Sequence, residues 1–252
     1  EFIAGAARPD GSISTTLQST AYNTAVAMNA LVATKNPKYA AIIEGGRKYL
    51  AKHQTDEDEG YKPDHRYYGG IGYGGGERPD LSNLYVSLEG LKAAATDPKD
   101  PVWQKALTFI NRTQNRSESN DQKFAGNDGG FMYLPGQNPP EYENETASYG
   151  GMTAAGLLSL LFAGVGKKDP RVQAAYKWMT TNYTLDTNPG TNKKHGLYYF
   201  YNAFAKVMLA YGEDTFVDAK GQKHNWRNEL ATKLMSLQNP DGSWVNRDSN
   251  AW

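Results

Sequence analysis

Slid against itself by 60 residues, the chain meets itself without a gap. Asn23 falls on Asn83, Val26 on Val86, Leu31 on Leu91 and Ala33 on Ala93. Tyr49-Leu50 falls on Phe109-Ile110, Gln54 on Gln114, Gly69-Gly70 on Gly129-Gly130, and Tyr73 on Tyr133. At a shift of 69, Asp169-Pro170 repeats Asp100-Pro101 and Trp178 repeats Phe109. A self-match this long constrains the chain to stacked supersecondary units. One unit cannot bury its own apolar face, so neighbours must cover one another.

Each unit reads as two helices. The first is apolar nearly all round, over 19–33, 81–95, 149–163 and 197–211. The second is amphipathic, over 39–53, 101–114, 170–183 and 225–238. In the second of these, Val102, Trp103, Ala106, Leu107 and Ile110 recur at helical spacing. Asp-Pro at 100–101 and 169–170 supplies a cap and a first helical residue with preset φ. A helix apolar on all sides belongs inside and a half-apolar one outside, which predicts two layers. Each unit closes on a glycine-led turn followed by a large apolar residue: Gly11-Ser12-Ile13, Gly69-Gly70-Ile71, Gly129-Gly130-Phe131 and Gly242-Ser243-Trp244. Glycine permits the tight turn, and the side chain after it packs back over a helix end. Equal insertions follow Gln54 and Gln114, but only three residues separate Gln238 from Gly242. The first turn reads as the tail of a unit preceding Glu1. With the end at Ala251-Trp252, it suggests further helices on both sides.

Composition narrows the function. Lys and Arg total 27, as do Asp and Glu, so no basic excess points to nucleic acid. There is no cysteine, which excludes disulfides, thiolate zinc and cysteine nucleophiles. The N-terminus shows no basic stretch leading into an apolar run. An uncharged stretch at 146–166 is long enough to span a bilayer, but its glycines, serines and threonines suit a helix buried in protein, and no transmembrane segment is expected. Asn-x-Ser/Thr sequons at Asn111, Asn115, Asn144 and Asn182 lean toward an extracytoplasmic or periplasmic location.

Gln238, Gly242 and Trp244 match the QW motif of squalene and terpenoid cyclases. Over residues 8–252 the chain resembles the prenyltransferase/squalene oxidase repeat family, in a squalene-hopene cyclase-like bacterial branch. Segments 78–83 and 183–190 carry that likeness as well. The resemblance implies an all-α fold: an α/α toroid, or part of one, made of four helical hairpins around a central cavity. One domain over 1–252 is expected, with repeats at about 19–78, 79–146, 147–195 and 196–252, and eight helices fall short of a closed ring.

In the cyclases of this family an Asp-x-Asp-Asp motif opens an inner helix, and its middle Asp protonates an alkene. The matching segment is Asp80-Leu81-Ser82-Asn83, where only the first Asp survives and Ser82 replaces the proton donor. Asp80 is expected to be a helix N-cap. In the prenyltransferase β subunits, zinc is held by Asp, Cys and His. Here Asn202 stands at the His position and Cys is absent, so neither metal nor cofactor is expected.

Other clusters are weighed by chemistry. The run at 56–59 is acidic enough for a hard cation, but its spacing fits a solvated loop better. His53, His65, His195 and His224 form no His-x3-His pair. His195 precedes the fourth inner helix, placed either to face the cavity or to cap it at the surface. The glycines at 72–76 lack the Lys of a phosphate loop and read as a connector. Tyrosines offer an apolar face and one polar tip, suited either to a site or to wedging between repeats. The cavity or rim is therefore drawn from Tyr73, Asp80, Ser82, Asn83, Tyr133, Tyr149, His195, Tyr198, Tyr201 and Asn202. Tyr198, Tyr201 and Asn202 are expected to share a helix face. The leading expectation is a non-catalytic module that binds a ligand or protein partner. The rivals are an isoprenoid-processing enzyme and a polysaccharide-binding or polysaccharide-active toroid.

Overall fold

The structure is a computed structural model. It describes all residues except 75, 141, 143, 192–194 and 247–252. Part of the glycine connector and the Ala251-Trp252 end therefore lie outside the described residues. The fold is mostly helical, and the chain forms two compact units. Unit 1 comprises Glu1–Thr113, Tyr133–Pro135 and Phe162–Val165; unit 2 comprises Gln114–Met132, Gly136–Leu161 and Gly166–Trp252.

Unit 1 holds the short α1 (Phe2–Gly5) and two helix pairs. These are α2 (Thr20–Ala33) with α3 (Ala40–Lys52), and α4 (Leu81–Ala93) with α5 (Pro101–Thr113). Unit 2 holds α6 (Gly150–Phe162) except its last residue, α7 (Pro170–Thr181), α8 (Leu197–Tyr211) and α9 (Trp226–Leu237). All eight expected helices are present, each within a few residues of its predicted bounds. Side-chain caps open α4, α5, α7 and α9, satisfying amide donors that a first turn leaves open. Asp100 Oδ1 accepts from Val102 N at 3.0 Å, and Asp169 Oδ1 from Arg171 N at 2.9 Å.

In every pair the first helix buries more than the second, as all-round apolarity requires. The contrast is widest between α6, with 11 buried residues, and α7, with four. It is narrowest between α4, with nine, and α5, with seven. The uncharged stretch at 146–166 supplies α6, which is only 13 residues long. No helix among the described residues is long and apolar enough to cross a membrane.

One element departs from the all-α expectation. Between α8 and α9, β1 (Thr215–Val217) pairs antiparallel with β2 (Lys223–Asn225), with Phe216 opposite His224. Three-residue strands leave no readable alternation, so the sequence presents this stretch only as a loop.

The glycine turns are one device used four times. The residue after each Gln, or after Ala7 in the first copy, donates its N–H to the carbonyl one past the glycine. These bonds are Arg8 to Ser12, Thr55 to Gly70, Asn115 to Gly130 and Asn239 to Ser243, all at 2.8 Å. The glycine N–H returns to that same residue in each copy: Gly11 to Arg8, Gly69 to Thr55, Gly129 to Asn115 and Gly242 to Asn239. All four glycines have positive φ, at +92, +84, +87 and +85°. This left-handed region excludes most side chains. The two long insertions thus leave from and return to the same small closure. Arg112, buried in α5, ties down the first by donating to His65 O and Pro63 O at 2.8 and 2.9 Å.

Candidate functional site

Of the expected site residues, five fall in unit 1: Tyr73, Asp80, Ser82, Asn83 and Tyr133. Asp80 caps α4. Its Oδ1 accepts from Asn83 N at 2.9 Å, and its Oδ2 accepts from Asn83 Nδ2 at 2.6 Å. The Tyr133 hydroxyl bonds Asp80 as well, and Tyr73 bonds Tyr133, which extends the network to four side chains. Backbone carbonyls of the same tyrosines close the inner helices: Ala21 N donates to Tyr73 O at 2.9 Å and Leu81 N to Tyr133 O at 2.8 Å. Ser82 is half-buried in the first turn of α4.

Asp80 is almost wholly buried. Burial pushes its carboxyl up to about 6, against the lowering pull of the Asn83 donors and the Tyr133 hydroxyl. Burial and the neighbouring Asp80 charge push the Tyr133 phenol well above its ordinary value. Asn83 Oδ1 and, one turn further along α4, Ser87 Oγ are buried without hydrogen-bond partners. The arrangement is a satisfied cap with a raised proton affinity. Among the described residues no second carboxylate is shown joining it, and the hydroxyl of Ser82 is no substitute for a strong acid.

The remaining expected residues lie in unit 2. Tyr149 is buried, stacks on Tyr142 at 4.4 Å, and donates its N–H to Phe131 O at 3.2 Å. The backbone carbonyl of His195 accepts from Asn188 Nδ2 at 3.0 Å, while its ring Nδ1 is buried without a partner. Tyr198 and Tyr201 meet edge to face at 5.9 Å. Tyr201 is buried and donates its hydroxyl to Leu185 O, whereas Asn202 is exposed. The two tyrosines therefore meet as expected, while Asn202, one position beyond the buried Tyr201, is open to solvent. Adjacent helical positions diverge by about 100°. Among the described residues, no group of three or more His, Asp or Glu side chains is arranged to hold a metal.

The QW residues sit at the end of α9. Gln238 Nε2 donates to Gly242 O at 2.9 Å, and Trp244 Nε1 donates to Leu234 O at 2.8 Å. Beside them lies an open groove of about 620 Å³. Asp186, Tyr198, Lys233, Asn239, Val245 and Asn246 contribute to its wall. The Lys233 ammonium pairs with Asp186 at 2.6 Å across it.

Two clusters differ from the sequence reading, in which the acidic run is a solvated loop and His224 an isolated residue. The acidic run is only partly solvated: Asp56 is buried and pairs with Lys105 at 2.7 Å, and Glu57 lies 3.1 Å from the same ammonium. Burial opposes a charged Lys105, but these carboxylates outweigh it and hold the amine above its usual value. In unit 2, His224 lies between two carboxylates. Its Nδ1 is 2.9 Å from Glu229 Oε2 and its Nε2 is 3.3 Å from Asp218 Oδ2. Tyr183 donates to Glu229 Oε2 at 3.0 Å and places its ring edge-on to His224, which stacks on Phe216. The carboxylates address opposite ring nitrogens, so their oxygens do not converge on one point. Burial alone would lower the imidazole, but Glu229 and Asp218 raise it. The only sequence signal is Glu229 within the first turn after the Asn225 cap, where its Oε1 also accepts from Asn225 N at 3.1 Å.

No family model and no curated protein matches the chain.

Proposed function

We propose that this chain is a non-catalytic assembly or ligand-binding module, built from helical hairpins that resemble those of terpenoid-cyclase-like α/α toroids. The observation that carries the reading is the state of Asp80. Both its oxygens are engaged within the fold by Asn83, and its hydroxyl neighbour is a tyrosine rather than a second acid. The mixed polar wall of the groove in unit 2 supports the same reading, because an isoprenoid site needs an apolar lining.

One observation favours the enzymatic alternative. Burial raises Asp80 to about 6, toward the protonated form that a general acid requires. Incubation with squalene and with geranylgeranyl diphosphate, followed by mass spectrometry, separates the two readings. We expect no cyclic product from the wild type or from Asp80→Asn. A cyclic product that Asp80→Asn abolishes would establish the enzyme.

A further inference from the structure

We propose that the start of α4 is an enclosed proton-binding site, in which protonated Asp80 donates a hydrogen bond to Asn83 and the Asn83 amide is turned so that its oxygen meets Asp80 and its nitrogen serves Ser87. Three observations converge on it. Asp80 is 2% exposed, and its side-chain partners are Asn83 and Tyr133, neither of them cationic. A buried carboxylate without a counter-ion is costly, and taking up a proton removes that cost. The contact between Asp80 Oδ2 and the Asn83 amide is 2.6 Å. That is short for N–H···O, which runs about 2.7–3.2 Å, and ordinary for O–H···O, which runs about 2.5–3.0 Å. Finally, Asn83 Oδ1 and Ser87 Oγ are both buried and unpartnered among the described residues.

One rotation accounts for all three. A half-turn of the Asn83 amide exchanges its oxygen and nitrogen. The oxygen, unpaired in the opposite orientation, then accepts from the Asp80 hydroxyl across the short contact. The nitrogen takes the place of the oxygen and needs an acceptor. Ser87 Oγ is an unpaired one, four residues along the same face of α4, and helical side chains lean back toward the preceding turn. The proton comes from solvent and stays on Oδ2, so Asp80 becomes neutral. Oδ1 goes on accepting from Asn83 N, and the cap survives in both states. A general acid must turn its proton toward a substrate, whereas this proton is turned toward Asn83.

The surroundings offer no counter-ion that would hold the charged form. Tyr133 touches Asp80, Tyr73 reaches it through Tyr133, and Tyr22 of α2 lies beside Tyr73 and Glu89. The charges of the neighbouring helices are committed elsewhere. In α3, Glu44 pairs with Arg47; in α5, Lys105 pairs with Asp56 and Glu57, and Arg112 donates to loop carbonyls. Glu77 and Arg78, just ahead of the cap, are exposed. Burial pushes Asp80 in the same direction as the geometry, toward the protonated form.

The test follows the Asp80 carboxyl carbon by NMR in the full chain with isotope-labelled aspartate, and Asp80→Asn assigns its signal. We expect a midpoint at about 6; a midpoint in the ordinary range, about 3.9, overturns the proposal. The sign of the shift in Asn83→Leu then reads the direction of the hydrogen bond. Loss of an acceptor for the protonated acid lowers the midpoint by about one pH unit, the worth of one hydrogen bond. Loss of a donor to a carboxylate raises it, so a rise or no change overturns the proposal. Ser87→Ala, a smaller change, deprives the turned amide of its acceptor and should lower both the midpoint and the stability to urea. An unchanged midpoint with equal or higher stability, the result of deleting an idle buried hydroxyl, overturns it. Tyr133→Phe should raise the midpoint, because the phenol donates to Asp80. A fall there would assign the Asp80 proton to Tyr133 and overturn the choice of Asn83. All of these are read without substrate and are independent of product formation from squalene, which alone decides the catalytic question.

Discussion

Replacing Gln114 by Ala tests the turn device where it is fully engaged. Gln114 is completely buried, and its amide nitrogen holds two carbonyls. Arg171 O lies within the first turn of α7 and keeps its intrahelical partner, so losing Gln114 there costs about 1 kcal/mol. Gly129 O is left facing a buried gap, at about 2 kcal/mol. The lost methylene adds about 1 kcal/mol. Gln114 Oε1 has no partner in the native fold, so its removal returns about 1 kcal/mol. The net destabilisation is about 3 kcal/mol. Gln238→Ala removes a single exposed bond that water replaces, and costs within about 0.5 kcal/mol. Urea unfolding followed by far-UV circular dichroism reads the difference. With m of about 3 kcal/mol/M, Gln114→Ala lowers the midpoint by about 1 M and Gln238→Ala leaves it in place. Equal shifts for the two variants would refute the claim that the bridging amide of Gln114 holds the start of α7.

The glycines should behave in parallel. Gly69→Ala should cost at least about 3 kcal/mol, because its Cβ meets a helix backbone, while Gly242→Ala should show only the strain of positive φ, about 1 kcal/mol, in the same unfolding assay. His224 has a raised folded-state pKa. Its stabilising contribution is thus fully present below the ordinary imidazole value of about 6.5 and is lost as pH rises through the raised value. Thermal unfolding across that range should flatten in His224→Gln, and an unchanged slope would exclude the Asp218–His224–Glu229 clip as its source. Asp80, pushed up to about 6, binds its proton more tightly when folded, so its contribution declines as pH rises from its ordinary range through about 6. Asn also caps helices, so Asp80→Asn should remove this decline and match or exceed the wild type at pH 8. A loss above about 2 kcal/mol there would show that the charge itself is needed.

Much of the helical framework was legible because its causes are local. Asp-Pro pairs mark the starts of α5 and α7, all-round apolarity marks α2, α4 and α6, and a glycine closes each unit. Asp80 as a cap was readable from three adjacent positions. Contacts across long separations were not. Asp56 meets Lys105 49 residues away, and nothing in an acidic tetrapeptide indicates that its first member alone turns inward. His224 looked isolated because Asp218, Glu229 and Tyr183 approach it from a turn, a helix and a loop. The short strands that hold it take their pairing from one another rather than from any pattern within them. The repeat itself shows the limit most plainly. Val26 and Val86 are the same residue in register, yet one is exposed and the other buried. Gln114 and Gln238 likewise occupy equivalent places in their turns, yet only Gln114 spans to a helix. Sequence determines that a turn can seat a helix, since amide, glycine and apolar side chain are all local. Whether a helix is there is decided by tertiary packing, because burial belongs to the neighbour as much as to the residue.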